Sequence, residues 1–220
     1  MSNGLINGMS EGSTDMLFVG VSTEDKNMVE TAIKNGADVN ALRIEHVLVH
    51  AIRKANEDII KLLLDGKADP NVLSGSGNTP LMLSIERGGN IVKLLLDFKA
   101  DSNVTSWDGK TLLMQAASRP NNLILLLKAR ANPNIQDKYG NTLLMYAANS
   151  CIRDSIKLLL QAGASLDSKN KEGKTALDIT IEKNCGLGTK LIEEEISLIR
   201  DVINEKLLPE ITDIVLGYLI

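Results

Sequence analysis

The chain has 220 residues, with 24 basic and 28 acidic side chains and a formal net charge of -4. This length fits one domain, or one domain with an appendage, and the acidic excess argues against a chain built mainly to coat nucleic-acid phosphates. Aromatic residues make up only 3% of the chain, so the core has to be aliphatic. No run of 18 apolar residues occurs, so no membrane span is predicted.

The cysteine count and the first residues both indicate a protein that works inside a cell. Two cysteines, Cys151 and Cys185, are too few for the disulfide framework of a small secreted domain. The first residues do not form the charged-then-apolar leader of a secretory signal peptide. We therefore expect a reducing, intracellular compartment. Residues 1–13 are polar and rich in Gly and Ser, and they are predicted to be a mobile tail.

A short motif recurs along the chain: a Leu-rich run, then an alanine, and three residues later Asn or Asp. The alanines are Ala37, Ala68, Ala100, Ala131 and Ala164, spaced by 31, 32, 31 and 33 residues. Glycines run in phase with this motif, each two residues before a threonine, at Gly77–Thr79, Gly109–Thr111, Gly140–Thr142 and Gly173–Thr175. Self-similarity at a fixed period indicates a repeat architecture.

Within one period the sequence reads turn, helix, turn, helix. Thr79 and Pro80 suit the N-cap and first residue of a helix, and residues 87–89, Arg-Gly-Gly, interrupt it. A second helix then carries three consecutive leucines, residues 94–96. Because two short helices cannot bury their own apolar faces, neighbouring repeats must stack. The sequence predicts an all-α solenoid of about six helix-turn-helix repeats over residues 14–188, degenerate at both ends.

The repeated motifs resemble a known family. Residues 140–148, Gly-Asn-Thr-Leu-Leu-Met-Tyr-Ala-Ala, are similar to the G-x-T-P-L-H-x-A-A of ankyrin repeats, and residues 163–167, Gly-Ala-Ser-Leu-Asp, to the G-A-D-V-N of the same family. The family histidine is replaced by Met82, Met114 and Met145, so thioethers are expected to fill space where an imidazole usually makes hydrogen bonds.

Two further departures from the ankyrin pattern predict local structure. The glycine that ends the second helix is replaced by Lys67, Lys99 and Arg130. A left-handed conformation at these residues would cost about 1 kcal/mol each. The fourth repeat is two residues short between its helices and contains Pro120, so its second helix is expected to start near Asn121–Asn122.

No constellation of catalytic or metal-ligating residues is evident. His46 and His50 could share a metal at their spacing of four, but no third ligand is apparent and catalytic zinc sites use three. Neither cysteine has a histidine close in sequence. Residues 186–190, Gly-Leu-Gly-Thr-Lys, lack the order of a phosphate-binding loop and are predicted to be a loop leaving the last repeat. We expect no enzymatic activity and no cofactor.

The resemblance to ankyrin repeats implies a concave face, made of hairpin tips and first helices, that binds a target protein. Mapping by register gives the candidates His50, Leu83, Trp107, Gln115, Tyr139 and Tyr146. Trp and Tyr are enriched at binding hot spots. The alternative is that Trp107 and Tyr139 only pack against the next hairpin. A monomer is expected, with no nucleic-acid or membrane partner.

Beyond Gly188 the repeat pattern ends, and two helices are predicted over residues 189–220. Residues 207–219, Leu-Leu-Pro-Glu-Ile-Thr-Asp-Ile-Val-Leu-Gly-Tyr-Leu, resemble the first helix of an F-box, L-P-x-E-I-x-x-x-I-L-x-Y-L. The proline is displaced by one position, and the further helices of a full F-box are missing. The site residues carried over are Leu207, Pro209, Glu210, Ile211, Val215, Leu216, Tyr218 and Leu219.

A truncated F-box behind ankyrin repeats is similar to the PRANC arrangement of ankyrin proteins from poxviruses and intracellular bacteria. That resemblance implies an effector in the host cytoplasm that recruits the Skp adaptor and cullin of an SCF ubiquitin ligase while the repeats hold the target. The first alternative is a plain ankyrin scaffold or inhibitor whose last helices only cap the stack. A SOCS-box ending is a further alternative, although its Pro-to-Tyr spacing is usually shorter than that from Pro209 to Tyr218.

Overall fold

A computed structural model describes residues 3–106, 109–117 and 119–198. In these ranges the chain folds into short helices joined by hairpins and turns, which confirms the predicted all-α fold class. The helices are α1 (Asn3–Thr23), α2 (Lys26–Lys34), α3 (Val47–Lys54), α4 (Glu57–Asp65), α5 (Pro80–Ser84), α6 (Gly89–Asp97), α7 (Leu112–Gln115), α8 (Pro120–Lys128), α9 (Leu143–Asn149), α10 (Arg153–Gln161), α11 (Ala176–Glu182) and α12 (186–198).

The chain divides into two compact units, Met1–Asn132 and Pro133–Ile220. The first unit contains four helix pairs, from α1/α2 to α7/α8, and the second contains the pairs α9/α10 and α11/α12. The core is aliphatic, as the scarcity of aromatic residues requires. Its largest fully buried side chains are Leu17, Leu48, Ile52, Ile59, Ile60, Leu63, Leu81, Ile85, Ile91, Leu95, Leu112 and Leu113. Burying each one contributes roughly 1.5–3 kcal/mol before entropy is counted.

A hydrogen bond of the recurring Ala-x-x-Asn motif joins successive repeats in the same way each time. In each case the asparagine Oδ1 accepts the backbone N–H of the residue that follows the next repeat's alanine. The acceptor–donor pairs are Asn40–Asp69 (2.7 Å), Asn71–Asp101 (2.8 Å) and Asn103–Asn132 (2.7 Å) in the first unit, and Asn134–Ser165 (2.6 Å) in the second. The sequence motif therefore recurs at the same interval as this side-chain-to-backbone hydrogen bond.

Threonine caps begin the first helix of several repeats. In α9 the Thr142 hydroxyl accepts the Met145 N–H at 3.4 Å, and the Met145 sulfur accepts the Thr142 N–H at 3.4 Å. In α11 the Asp178 carboxylate takes the sulfur's place, and the N–H that Thr175 donates to it holds the pKa of Asp178 below its usual range. Met82 and Met145 are buried and Met114 is half-buried, so the thioethers fill the histidine space as expected.

The three basic residues that replace the helix-ending glycine are left-handed, as predicted. Their φ angles are 71° at Lys67, 67° at Lys99 and 61° at Arg130, close to the 81° of Gly36 and 78° of Gly163 at the equivalent turns. Each basic residue therefore carries the steric cost of a Cβ in this conformation.

Replacing Lys99 by glycine is expected to raise the free energy of unfolding by up to about 1 kcal/mol, because glycine adopts this φ without steric cost. Urea denaturation followed by circular dichroism measures the change. Lys61→Gly is the matched control: Lys61 is exposed inside α4, so glycine should lower the stability there by about 1 kcal/mol. A loss of stability in Lys99→Gly would contradict the prediction.

Three predicted boundaries differ from the structure. Residues 3–13, predicted to be part of a mobile tail, belong to α1. Residues 186–190, predicted as a loop, begin α12, so the boundary drawn between Gly188 and Thr189 falls inside a helix. A Cβ on Gly188 would lie 3.0 Å from Ile156 Cδ1, so this glycine allows close packing rather than a turn.

The second helix of the fourth repeat also starts earlier than predicted, at Pro120. Proline is favoured at the first helical position, where its missing N–H removes no intrahelical bond. The two helices predicted over residues 189–220 are described only as far as residue 198, so the second of them lies outside the described residues. None of the helices in the described ranges combines the length and apolarity needed to cross a membrane.

Candidate functional site

In the first unit, three predicted target-binding residues occupy the same register position, four residues after the N-cap of a first helix. His50 follows the cap residue His46, Leu83 follows Thr79, and Gln115 follows Thr111. All three side chains are half-buried. The three residues thus occupy equivalent positions in consecutive repeats. Their role in binding stays a prediction.

His50 is held in a polar network between the first and second repeats. Its Nδ1 lies 3.2 Å from Glu45 Oε1, and its Nε2 lies 3.3 Å from Ser22 Oγ of α1. Glu45 Oε2 in turn accepts a hydrogen bond of 2.9 Å from Arg53 Nε. Both ring nitrogens therefore have partners within the chain. The Nδ1 of His46 lies 3.3 Å from the Asn40 carbonyl oxygen, so each histidine is bonded separately.

The order Ser22, His50, Glu45 resembles the contacts of a hydrolytic triad, but the serine is engaged elsewhere. Its hydroxyl donates to the Phe18 carbonyl at 2.8 Å, a shorter contact than the 3.3 Å to His50. A nucleophilic serine needs its proton aimed at the base. The network therefore holds α1 against α3 rather than activating a nucleophile. In the described residues, no group of three His, Cys, Asp or Glu side chains gathers as a metal site would need.

Sequence reasoning missed two exposed leucines on consecutive hairpins of the first unit. Leu42 and Leu73 each lie two residues after the asparagine of an Ala-x-x-Asn motif, and both are largely exposed. Ile44, at the tip of the first of these hairpins, is fully exposed. The sequence signal was the pattern Asn-x-Leu in two successive repeats. At the position of the leucine, the next three repeats have polar residues, Thr105, Gln136 and Lys169.

Arg43 anchors the hairpin that carries Leu42 and Ile44. It pairs with Asp15 of α1, and its guanidinium carbon lies 4.8 Å from the centroid of the Phe18 ring. A guanidinium over an aromatic face is attracted by the ring quadrupole. These contacts attach the hairpin that carries the exposed apolar side chains to α1.

In the second unit, Asp137 connects the hairpin that carries Tyr139 with Tyr146 of α9. Its Oδ1 accepts the N–H groups of Tyr139 (2.9 Å) and Asn141 (2.8 Å), and its Oδ2 accepts the Tyr146 hydroxyl at 2.6 Å. The Tyr139 side chain is 57% exposed, while its carbonyl accepts the Lys171 N–H of the next hairpin at 3.0 Å. The Tyr139 ring is thus accessible to a partner, and Tyr146 braces the hairpin.

The hydrogen bond to Asp137, with burial and the carboxylate charge, raises the pKa of Tyr146 above 10.0. Because the folded state holds this proton more tightly, its contribution to stability is complete below pH about 10 and is lost as the pH rises through the folded pKa. Tyr146→Phe should lower the free energy of unfolding by about 1–3 kcal/mol at pH 7, since it leaves a carboxylate oxygen without its donor.

The pH dependence separates this hydrogen bond from simple packing. Above pH about 10 the wild-type chain should lose stability more steeply than Tyr146→Phe, because only the wild type has this proton to release. Urea titrations at several pH values between 7 and 11 provide the comparison. Parallel profiles for the two proteins would rule out the assigned role of the hydroxyl.

The remaining predicted site residues cannot be placed. Trp107 lies outside the described residues, and so does the whole F-box-like set from Leu207 to Leu219. These assignments stay predictions that rest on the sequence alone.

Comparison with known proteins agrees with the repeat geometry. A family model for ankyrin repeats (3 copies) matches residues 16–106, 48–137 and 113–199. The chain is similar to the ankyrin repeat protein L92 of Acanthamoeba polyphaga mimivirus, with 36% identity over 73 residues. That match covers 33% of this chain and 18% of the mimivirus protein, so the chain spans under a fifth of that relative. Among solved structures it is similar to EF0377, an ankyrin repeat protein, with a TM-score of 0.71, 25% identity, and coverage of 82% of this chain and 97% of the other.

Proposed function

Because the chain belongs to the ankyrin-repeat family, a family of non-enzymatic protein-interaction scaffolds, we propose that it is an adaptor for a ubiquitin ligase. In this proposal the repeats hold a target protein, and residues 207–219 recruit the Skp adaptor of a host cullin–RING ligase. The observation that carries the proposal is the F-box-like sequence directly behind a repeat stack. The chain would then act in a reducing compartment, the host cytoplasm if it is an effector.

Candidate target-binding residues within each of the two units support the first half of this proposal. Half-buried side chains recur at one register position, at His50, Leu83 and Gln115, and the exposed Tyr139 ring stands on a hairpin fixed by Asp137. Binding energy at such surfaces concentrates in a few residues, with Tyr and Trp enriched among them. Side chains on a rigid backbone also lose less entropy on binding.

A plain scaffold whose last helices cap the stack is the second candidate. The observation in its favour is Ile192 of α12, which is completely buried, so the chain beyond Gly188 takes part in the packing of the second unit. A cap of this kind needs only one apolar face. The two candidates differ in what residues 207–219 contact.

Direct binding of the full chain to a purified Skp adaptor tests the ligase half. Leu216→Glu, which places a charge at a position that the F-box-like pattern fills with leucine, should abolish binding measured by calorimetry. Asp213→Asn changes a position that the pattern leaves free, and it should bind like the wild type. If the wild type did not bind, or if Leu216→Glu bound equally well, the ligase proposal would be wrong and the plain scaffold would be the remaining candidate.

The target half is tested by proteins that co-purify with the full chain. Tyr139→Ala should lose at least about tenfold of the captured target, which corresponds to about 1.4 kcal/mol. Ile152→Ala is the matched control, because Ile152 is an exposed apolar residue in the turn between α9 and α10. Equal losses in both variants would mean that Tyr139 is not part of the target surface.

A further inference from the structure

The two cysteines of the chain meet between neighbouring repeats of the second unit. Cys151 lies in the turn between α9 and α10, and Cys185 lies just before α12. Their sulfurs are joined in the structure, and their Cα atoms are 5.5 Å apart, within the range that a disulfide requires. They are separated by 34 residues, about one repeat. The crosslink therefore connects one repeat with the next.

The two cysteines differ in access to solvent. Cys151 is exposed, whereas Cys185 is 6% exposed. The Cys185 sulfur also lies 3.4 Å from the Ala148 carbonyl oxygen, within reach of a thiol donor. The reduced thiol thus has a hydrogen-bond acceptor in place, so the same fold accommodates both the thiol and the disulfide.

The first turn of α12 depends on the residue that the crosslink fixes. The Thr189 N–H donates to the Cys185 carbonyl at 2.9 Å, and Gly188 packs closely against Ile156 and Thr180. Fixing Cys185 to the preceding repeat therefore restrains the start of this helix. Helices open locally at a lower free energy than the whole unit unfolds, so a restraint on its first turn has a direct effect on α12.

We propose that Cys151 and Cys185 form a reversible redox crosslink that clamps α12 onto the preceding repeat. A low-molecular-weight disulfide such as oxidised glutathione is the oxidant. The exposed Cys151 thiolate attacks it, forms a mixed disulfide and releases one glutathione thiolate. The Cys185 thiolate then attacks the Cys151 sulfur and releases the second glutathione. The protein loses two electrons and two thiol protons, and one glutathione disulfide becomes two thiols. The inference is independent of any ligase partner.

The full chain equilibrated in glutathione buffers of increasing oxidised fraction provides the test. Both thiols should become inaccessible to maleimide together, with one intramolecular link found by peptide mapping. The oxidised chain should melt about 5–10 °C above the reduced chain, and amide exchange of residues 186–198 should be slower. Cys151→Ser, a change at an exposed position, should melt like the reduced wild type in every buffer.

Each other outcome would overturn the proposal. Thiols that remain free in fully oxidised glutathione would show that the pair does not form. Covalent dimers would show that the cysteines pair between chains. A melting temperature and exchange rate that do not change on oxidation, or that change equally in Cys151→Ser, would show that the crosslink does not clamp α12.

Discussion

Replacing Ile192 by alanine is expected to lower the free energy of unfolding of the second unit by about 2–5 kcal/mol. The Ile192 side chain is completely buried in α12, and truncating a buried isoleucine loses its transfer free energy and leaves a cavity. A loss of this size also makes α12 part of the repeat stack in solution. Urea denaturation followed by circular dichroism measures it.

Leu198→Ala is the matched control on the same helix. Leu198 is largely exposed, so its truncation should change the stability by less than about 0.5 kcal/mol. If Ile192→Ala were as mild as the control, α12 would not be packed as the structure has it. The capping alternative for the C-terminal segment would then lose its supporting observation.

The repeat pattern could be predicted because it is local and periodic. The motif Ala-x-x-Asn recurs because each asparagine bonds to the next repeat, as Asn71 does with the Asp101 N–H. The left-handed conformation of Lys67 and the cap role of Thr79 follow equally from register. Such features need only the sequence within one period and a rule for stacking the periods.

Features that depend on contacts between distant residues could not be predicted. The Asn122 side chain is buried and donates from Nδ2 to the Ile85 carbonyl at 2.9 Å, across 37 residues. This bond satisfies a backbone acceptor in the third repeat, which is one residue short between its helices. Asn122 follows Pro120 in the other short repeat, and nothing local marks it as a partner of Ile85.

The candidate binding residues show the same difference between features set by local register and features set by distant contacts. Register predicted the positions of Leu83, Tyr139 and Tyr146, but the tie from the Tyr146 hydroxyl to Asp137 is a side-chain contact that register does not contain. The pairing of Cys151 with Cys185 was likewise unexpected, since two cysteines about one repeat apart carry no local signal. The loop predicted at the start of α12 was wrong because Gly188 serves close packing rather than a turn.

Gly140→Ala is expected to destabilise the second unit by about 2–4 kcal/mol, because two costs combine at this hairpin glycine. Its φ is 78°, which costs a Cβ-bearing residue about 1 kcal/mol. A Cβ there would also lie 3.0 Å from the Lys171 backbone nitrogen and 3.1 Å from Asn170 Cα. These are backbone atoms, so the next hairpin must move, and overpacking of this kind costs about 1–3 kcal/mol more.

The matched control for Gly140→Ala is Gly173→Ala at the equivalent turn of the next repeat. Its φ is 79°, but among the described residues a Cβ added there would meet no neighbouring atom within 4 Å. Only the conformational cost of about 1 kcal/mol should therefore appear. The difference between the two variants isolates the contact between adjacent hairpins. That contact includes the hydrogen bond from the Lys171 N–H to the Tyr139 carbonyl. Gly140→Ala should therefore also weaken capture of a target that depends on Tyr139, whereas equal effects of the two variants would mean that the hairpins do not pack against each other.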